Sequence, residues 1–182
     1  MTFSKVAALT GRPGVGKTTA LVKVVELVRR DGFKPAGFYT VEMREQGVRT
    51  GFEIVDVATG DRAVLASTKI FKGPRVGRYA VNVAGLESLA VGSVRRGLAE
   101  GDAVFVDEVG PMELLSKSFV ETVRQVLRSG KPSLLTVHAS ARHPVVDEVK
   151  TCAGENLFFI DVGNRDRVPQ AVYEVLRSWL KT

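Results

Sequence analysis

Apolar positions along this chain follow two rhythms, and the switches between them lay out its elements. Val6-Ala7-Ala8-Leu9, Ala103-Val104-Phe105-Val106, Ser133-Leu134-Leu135-Thr136-Val137 and Leu157-Phe158-Phe159-Ile160 are short, nearly continuous apolar runs. That is the length and pattern of strands buried on both faces of a sheet. Between them, apolar residues recur at helical spacing over Lys17–Asp31, Leu86–Glu100, Ser116–Ser129 and Val168–Lys181, with a shorter helix after Pro144. Gly32 ends the first helix and Pro35 prevents its return; Ser116 is placed to cap the third, and Gly130 with Pro132 stops it. Residues 37–66 have another texture. Gly37–Arg44, Phe52–Val57 and Arg62–Ala66 read as strands joined by short turns at Glu45-Gln46-Gly47 and Thr59-Gly60-Asp61, which predicts an antiparallel hairpin segment. Tyr79–Val83 reads as one more strand, and Ser67–Gly77 as an irregular basic loop. Strands alternating with helices predict an α/β domain with a mostly parallel sheet, which the 37–66 segment extends at its edge.

The length of 182 residues suits a single domain covering 1–182. Apolar residues at 45% and charged residues at 25% are values for a soluble globular chain. No apolar stretch is long enough for a bilayer and no charged leader precedes an apolar run, so the expectation is a cytoplasmic protein without a membrane partner. A single cysteine, Cys152, excludes an internal disulfide framework and a multi-cysteine metal site. Lys and Arg outnumber Asp and Glu by 26 to 20, a net charge of +6. That surplus suits phosphate ligands and permits nucleic acid. No dense basic block and no aromatic stacking signature supports nucleic acid further.

Chemistry concentrates first in Gly11-Arg12-Pro13-Gly14-Val15-Gly16-Lys17-Thr18, which fits G-x-x-x-x-G-K-[ST] and lies between a predicted strand and a predicted helix. Glycines let the backbone turn so that its N–H groups form a nest for phosphate oxygens, and the helix aims its positive end at the same spot. In this pattern Lys17 reaches the β- and γ-phosphates and the Thr18 hydroxyl ligates Mg²⁺. Thr19 falls near the α-phosphate.

About ninety residues downstream, the apolar run 103–106 ends in Asp107-Glu108. An acid at the end of a buried strand completes the Mg²⁺ environment. The carboxylate of Glu108, next in line, is placed to orient and deprotonate an attacking water. Met112 and Leu114 read as core, with Glu113 either a connection residue or a support of the site. His138, at the tip of the Ser133–Val137 strand, is either a γ-phosphate sensor that positions water or a histidine satisfied by loop backbone; His143 is less well placed. Arg165, in the loop after the last strand, is placed to stack on or hydrogen-bond a base. Arg95 and Arg96 read as solvent-facing. In the Ser67–Gly77 stretch and just beyond it, Lys69, Lys72, Arg75 and Arg78 line either a solvated loop or a cover that brings positive charge to the phosphates.

Gly11–Thr18, the Gly37-Phe38-Tyr39-Thr40…Glu42…Arg44-Glu45…Gly47…Arg49…Gly51-Phe52 segment, Gly77-Arg78-Tyr79…Val81 and Val106-Asp107-Glu108-Val109-Gly110-Pro111-Met112-Glu113-Leu114 together resemble the small P-loop nucleoside-triphosphatases of thermophilic archaea and bacteria, to which the human cancer-related nucleoside-triphosphatase is similar. The resemblance covers nearly the whole chain. It implies a RecA-like P-loop NTPase fold, a three-layer sandwich, and Mg²⁺-dependent hydrolysis of ATP, GTP and other nucleoside triphosphates with loose base selectivity. It puts the nucleotide contacts on Gly11–Thr18 and on the strand end Asp107, Glu108, Val109 and Gly110. The expected partners are nucleoside triphosphates, and the expected state is a monomer or weak oligomer. The residues leave a small nucleotide or metabolite kinase as the alternative, and a nucleotide-switched RNA- or protein-binding module as a second one.

Overall fold

The buried runs become the middle of one sheet. The computed structural model describes residues 4–70 and 72–182; Phe71, within the basic Ser67–Gly77 stretch, lies outside the described residues. In chain order the elements are β1 (Val6–Gly11), α1 (Lys17–Arg30), β2 (Pro35–Glu45), β3 (Val48–Asp56), β4 (Arg62–Ser67), β5 (Arg75–Val76) and β6 (Tyr79–Val81). Next come α2 (Val83–Gly85), a π-helical turn (Leu86–Val91), α3 (Gly92–Glu100), β7 (Ala103–Val109), α4 (Lys117–Arg128), β8 (Ser133–His138), α5 (Pro144–Ala153), β9 (Leu157–Phe159) and α6 (Val168–Leu180). Among the described residues the strand order is β5-β6-β4-β3-β2-β7-β8-β1-β9. β2, β7, β8, β1 and β9 run parallel, while β3, β4, β6 and β5 continue the sheet in antiparallel fashion.

Both faces of the parallel strands are covered, which is why they read as unbroken apolar runs. Ala7, Leu9, Phe105 and Leu134 pack against α1 and α6 through Leu21, Val24, Val28, Val172 and Leu176. Val6, Ala8, Val104, Val106, Leu135 and Val137 face the other way, onto α3, α4 and α5 through Val94, Phe119, Val123, Val146 and Val149. Gly37 joins the hairpin segment to this centre. Its φ is +107°, and a Cβ there would run into the Phe105 carbonyl oxygen of β7.

The structure departs from the sequence pattern in a few places. Arg75–Val76 is a short strand, closed onto β6 through the two-residue turn Gly77-Arg78. Two residues are too few to show alternation. The helix after β6 starts at Val83 rather than Leu86, because the Asn82 side chain accepts from the Gly85 N–H (3.1 Å) and donates to the Val64 carbonyl (2.9 Å). Arg96 is half-exposed, yet it pairs with the buried carboxylate of Asp56, which also accepts the N–H groups of Ala58 and Thr59.

Candidate active site

β1 delivers the chain to Gly11 at the carboxyl end of the parallel strands, and residues 12–16 loop from there into α1. Gly14 (φ +78°) and Gly16 (φ +114°) hold left-handed backbone that a side chain would resist. No side chain caps α1 and no acid lies in its first turn. Its positive end is therefore left for an external anion. Lys17 is buried, and its Nζ donates to the carbonyls of Gly11 (2.6 Å) and Arg12 (3.5 Å), so the ammonium curls over the mouth of the loop. Arg12, Pro13, Gly14 and Thr19 are exposed around that mouth, and Val15 anchors the loop on the α1–α6 side of the core.

Asp107 faces this loop. Its Oδ2 accepts from the Thr18 hydroxyl (2.8 Å) and from the N–H (3.2 Å) and hydroxyl (3.3 Å) of Thr40, and its Oδ1 accepts from Thr136 (2.6 Å). The residue is 2% exposed. Burial raises its pKa, and the hydrogen bonds from Thr136, Thr18 and Thr40 oppose that rise. Thr40 on β2 and Thr136 on β8 escaped the sequence analysis. The available signal was a lone hydroxyl inside each apolar strand, at 136 in Leu134-Leu135-Thr136-Val137 and at 40 beyond Gly37-Phe38-Tyr39.

The peptide between Asp107 and Glu108 is cis, and the β7–β8 register shifts between Val106 and Val109. Glu108 lies against Gly110, where a Cβ would come 2.8 Å from its Oε1. Its pKa is pushed up to about 7 by burial and by the charge of Asp107, with Lys17 pulling the other way. Val109 buries its side chain in the core, so its contribution to the cleft is backbone alone.

Behind Glu108 sits Glu113, 4% exposed. Burial and the charge of Glu108 carry its pKa well above the usual carboxylate range, against hydrogen bonds from its own N–H and that of Gly110. The folded chain thus holds the Glu113 proton to higher pH than the unfolded chain, which releases it around the ordinary 4.5. Stability linked to this group is full below that pH and drains as pH rises through the elevated value. Glutamine cannot titrate, so Glu113→Gln is expected to melt at progressively higher temperature relative to the parent as pH goes from 5 to 8. Melting curves of both proteins across that range check it; a constant difference would contradict a protonated Glu113.

His138 pairs in register with Gly11 across β8 and β1. Its Nδ1 accepts the Ser140 N–H (3.1 Å), which leaves Nε2 for the cleft. Burial and the Lys17 charge lower its pKa, so the neutral form dominates at pH 7. His143 instead caps α5 by accepting the Val145 N–H (3.1 Å). On the other flank, the loop after β9 is tied to the P-loop: the Ile160 carbonyl lies where a Cβ on Gly11 would be, at 2.5 Å. Asp161 and Asn164 exchange hydrogen bonds (2.8 and 2.9 Å), and Arg165 runs past Gly16, its Cδ 3.7 Å from where a Cβ on that glycine would lie. Of the basic stretch, Lys69 is held by Glu45 at the hairpin tip, whereas Arg78 turns toward Tyr79. Among the described residues no helix is long and apolar enough to cross a membrane.

A strand, a glycine loop wrapped by the N-terminus of its helix, and an acid at the end of a parallel strand facing that loop define a P-loop NTPase fold. The chain belongs to the family described as NTPase, whose profile matches residues 6–173. It is 45% identical over 166 residues to the nucleoside-triphosphatase THEP1 of Methanosarcina acetivorans, covering 91% of this chain and 93% of that protein. With the protein of the same name from Methanopyrus kandleri it shares 44% over 174 residues, covering 95% and 96%. Among solved structures, THEP1 from Aquifex aeolicus superposes with a TM-score of 0.80 at 32% identity, over 94% of this chain and 98% of that one. A human cancer-related nucleoside triphosphatase superposes at 0.76 and 31%, over 94% and 97%.

Proposed function

We propose that the chain hydrolyses nucleoside triphosphates, ATP and GTP among them, to the diphosphate and inorganic phosphate, with Mg²⁺ as cofactor and loose base selectivity. The observation that carries this reading is the meeting of Thr18 and Asp107 at 2.8 Å beside Lys17, with Glu108 next in the chain. The donor set fits a hard divalent cation: a hydroxyl and a carboxylate, both oxygen ligands. Among the described residues no group of three His, Cys, Asp or Glu side chains could hold a metal alone. That suits an ion that takes its remaining ligands from phosphate and water. Bound between Thr18 and Asp107, Mg²⁺ would offset charge on the β- and γ-phosphate oxygens.

The rest follows from the chain's own groups. The backbone N–H groups of residues 14–18 cradle the phosphates. Lys17 exchanges the Gly11 carbonyl for a phosphate oxygen, a stronger charge-assisted partner. Glu108 orients a water in line with the γ-phosphorus and takes its proton as the new O–P bond forms and the bond to the bridging oxygen breaks. Arg165 borders the base. Asn164 commits its side chain to the loop itself, its oxygen accepting from the Asp161 N–H and its nitrogen donating to the Phe159 carbonyl. A stacking guanidinium accepts any base, which supports loose selectivity. We read the chain as one cytoplasmic domain acting as a monomer or weak oligomer.

Phosphate release from ATP, GTP, CTP and UTP, with Mg²⁺ and with EDTA, tests the proposal. Release from all four at rates within about tenfold, abolished by EDTA, is expected from a pocket without base-edge readout. Phosphate appearing only on an added acceptor would make the chain a phosphotransferase instead.

A further inference from the structure

β2 carries more than the hydrogen bonds to Asp107. Past Phe38, which pairs with Val106, it leaves the parallel sheet and runs on as one arm of the β2–β3 hairpin. Glu42 follows Thr40 by two residues, about 7 Å farther on the same strand face. Its carboxylate receives Arg44 (2.8 and 3.1 Å) and Arg49 (3.3 Å). Arg49 lies over the ring of Phe52 (5.3 Å), and its Nε donates to the hydroxyl of Tyr79 (2.9 Å). Arg78 donates to the same phenolic oxygen (3.1 Å) and to the Arg49 carbonyl (2.9 Å).

This cluster is short of negative charge. One carboxylate serves Arg44 twice and Arg49 once, and Arg78 meets no carboxylate among the described residues. Burial pushes the Tyr79 phenol up, but the hydrogen bonds and charges of Arg78 and Arg49 outweigh it and hold the phenol below its ordinary value. Two guanidinium groups converge on one phenolic oxygen. Their planar forks match the spread oxygens of a phosphoryl group far better than a single phenol. Other cations nearby are less suited. Lys69 is tied to Glu45 at the hairpin tip (2.5 Å), and Arg75 donates to the Arg78 carbonyl at the β5–β6 turn.

We propose that Arg49 and Arg78 form a cationic pair, supplied by the same chain, that engages the terminal phosphoryl group of the bound triphosphate as it passes to water. The proposal rests on the hydrolase reading and assigns the positive charge that phosphoryl transfer requires beyond Lys17 and the metal. Glu42, on the strand whose Thr40 grips Asp107, holds Arg49, and Tyr79 joins Arg49 to Arg78.

The test compares the parent with Arg49→Ala, Arg78→Ala and the control Arg62→Ala, whose side chain pairs with Glu53 at 3.6 Å farther out on the hairpin segment. At saturating Mg²⁺–ATP, Arg49→Ala and Arg78→Ala are expected to lose turnover by about 10²-fold, with the KM and the ADP affinity near parental. They should also fail to trap ADP with fluoroaluminate, a mimic of the phosphoryl group in flight, while Arg62→Ala behaves as the parent. Should alanine unfold the hairpin, Arg49→Lys and Arg78→Lys keep the charge and most of the packing while losing the fork. Turnover reduced by about tenfold or more at unchanged ADP affinity is then expected. Parental turnover and parental fluoroaluminate trapping in the folded variants would overturn the pair. A parent that releases no phosphate at all would instead overturn the hydrolase reading, and the two failures are thus distinct.

Discussion

Glu108→Gln is expected to keep nucleotide affinity and lose about 10²- to 10⁴-fold in turnover, the range for removing a positioned general base. The amide has the shape of the acid and the same room over Gly110, so binding should persist. It cannot take up a proton at neutral pH, so a water held in the same place stays intact. The neighbourhood is arranged for the acid. Asp107 is kept in place by three threonines, Lys17 pulls on the Glu108 charge, and burial raises the pKa of Glu113 close by. Single-turnover phosphate release together with titration of a fluorescent nucleotide separates the two quantities. Parental turnover in this variant would remove Glu108 from the mechanism.

Lys17→Ala is expected to fail earlier in the cycle. Nucleotide affinity and turnover should fall together, each by roughly 10²-fold or more, as for loss of a charge-assisted bond to phosphate in a dry site. The fold should survive, because Lys17 makes its hydrogen bonds with loop carbonyls at the mouth of the loop rather than with the core. Calorimetric titration with Mg²⁺–ADP, alongside a melting curve, distinguishes an empty but folded pocket from an unfolded chain. Affinity equal to the parent would remove the ammonium from phosphate binding.

Much of this was legible in the chain because the parallel strands are buried on both faces, so Val6–Leu9 and Ala103–Val106 stand out as unbroken apolar runs. The P-loop was legible for a related reason: a fixed spacing of glycines, a lysine and a hydroxyl is the chemistry itself. What stayed hidden was long-range. Thr40 and Thr136 meet Asp107 across 67 and 29 residues of chain, and nothing local marks them as its partners. Arg49 and Tyr79 stand 30 residues apart and are brought together only by the order β6-β4-β3. His138 was open to two readings. The hydrogen bond to the Ser140 N–H satisfies one ring nitrogen and leaves the other available.

The two rims of the sheet bear on how the molecule behaves in a crowded solution. At one rim β5 offers only the backbone of Arg75 and Val76, and at the other β9 offers only Leu157 to Phe159. Free strand edges are templates on which further chains add, and six or seven residues are about what a self-propagating zipper needs. Phe159 is 69% exposed on its rim, but the ladder beneath it is three residues long. At its two rims the nine-stranded sheet of the described residues thus offers ladders too short for fibril growth.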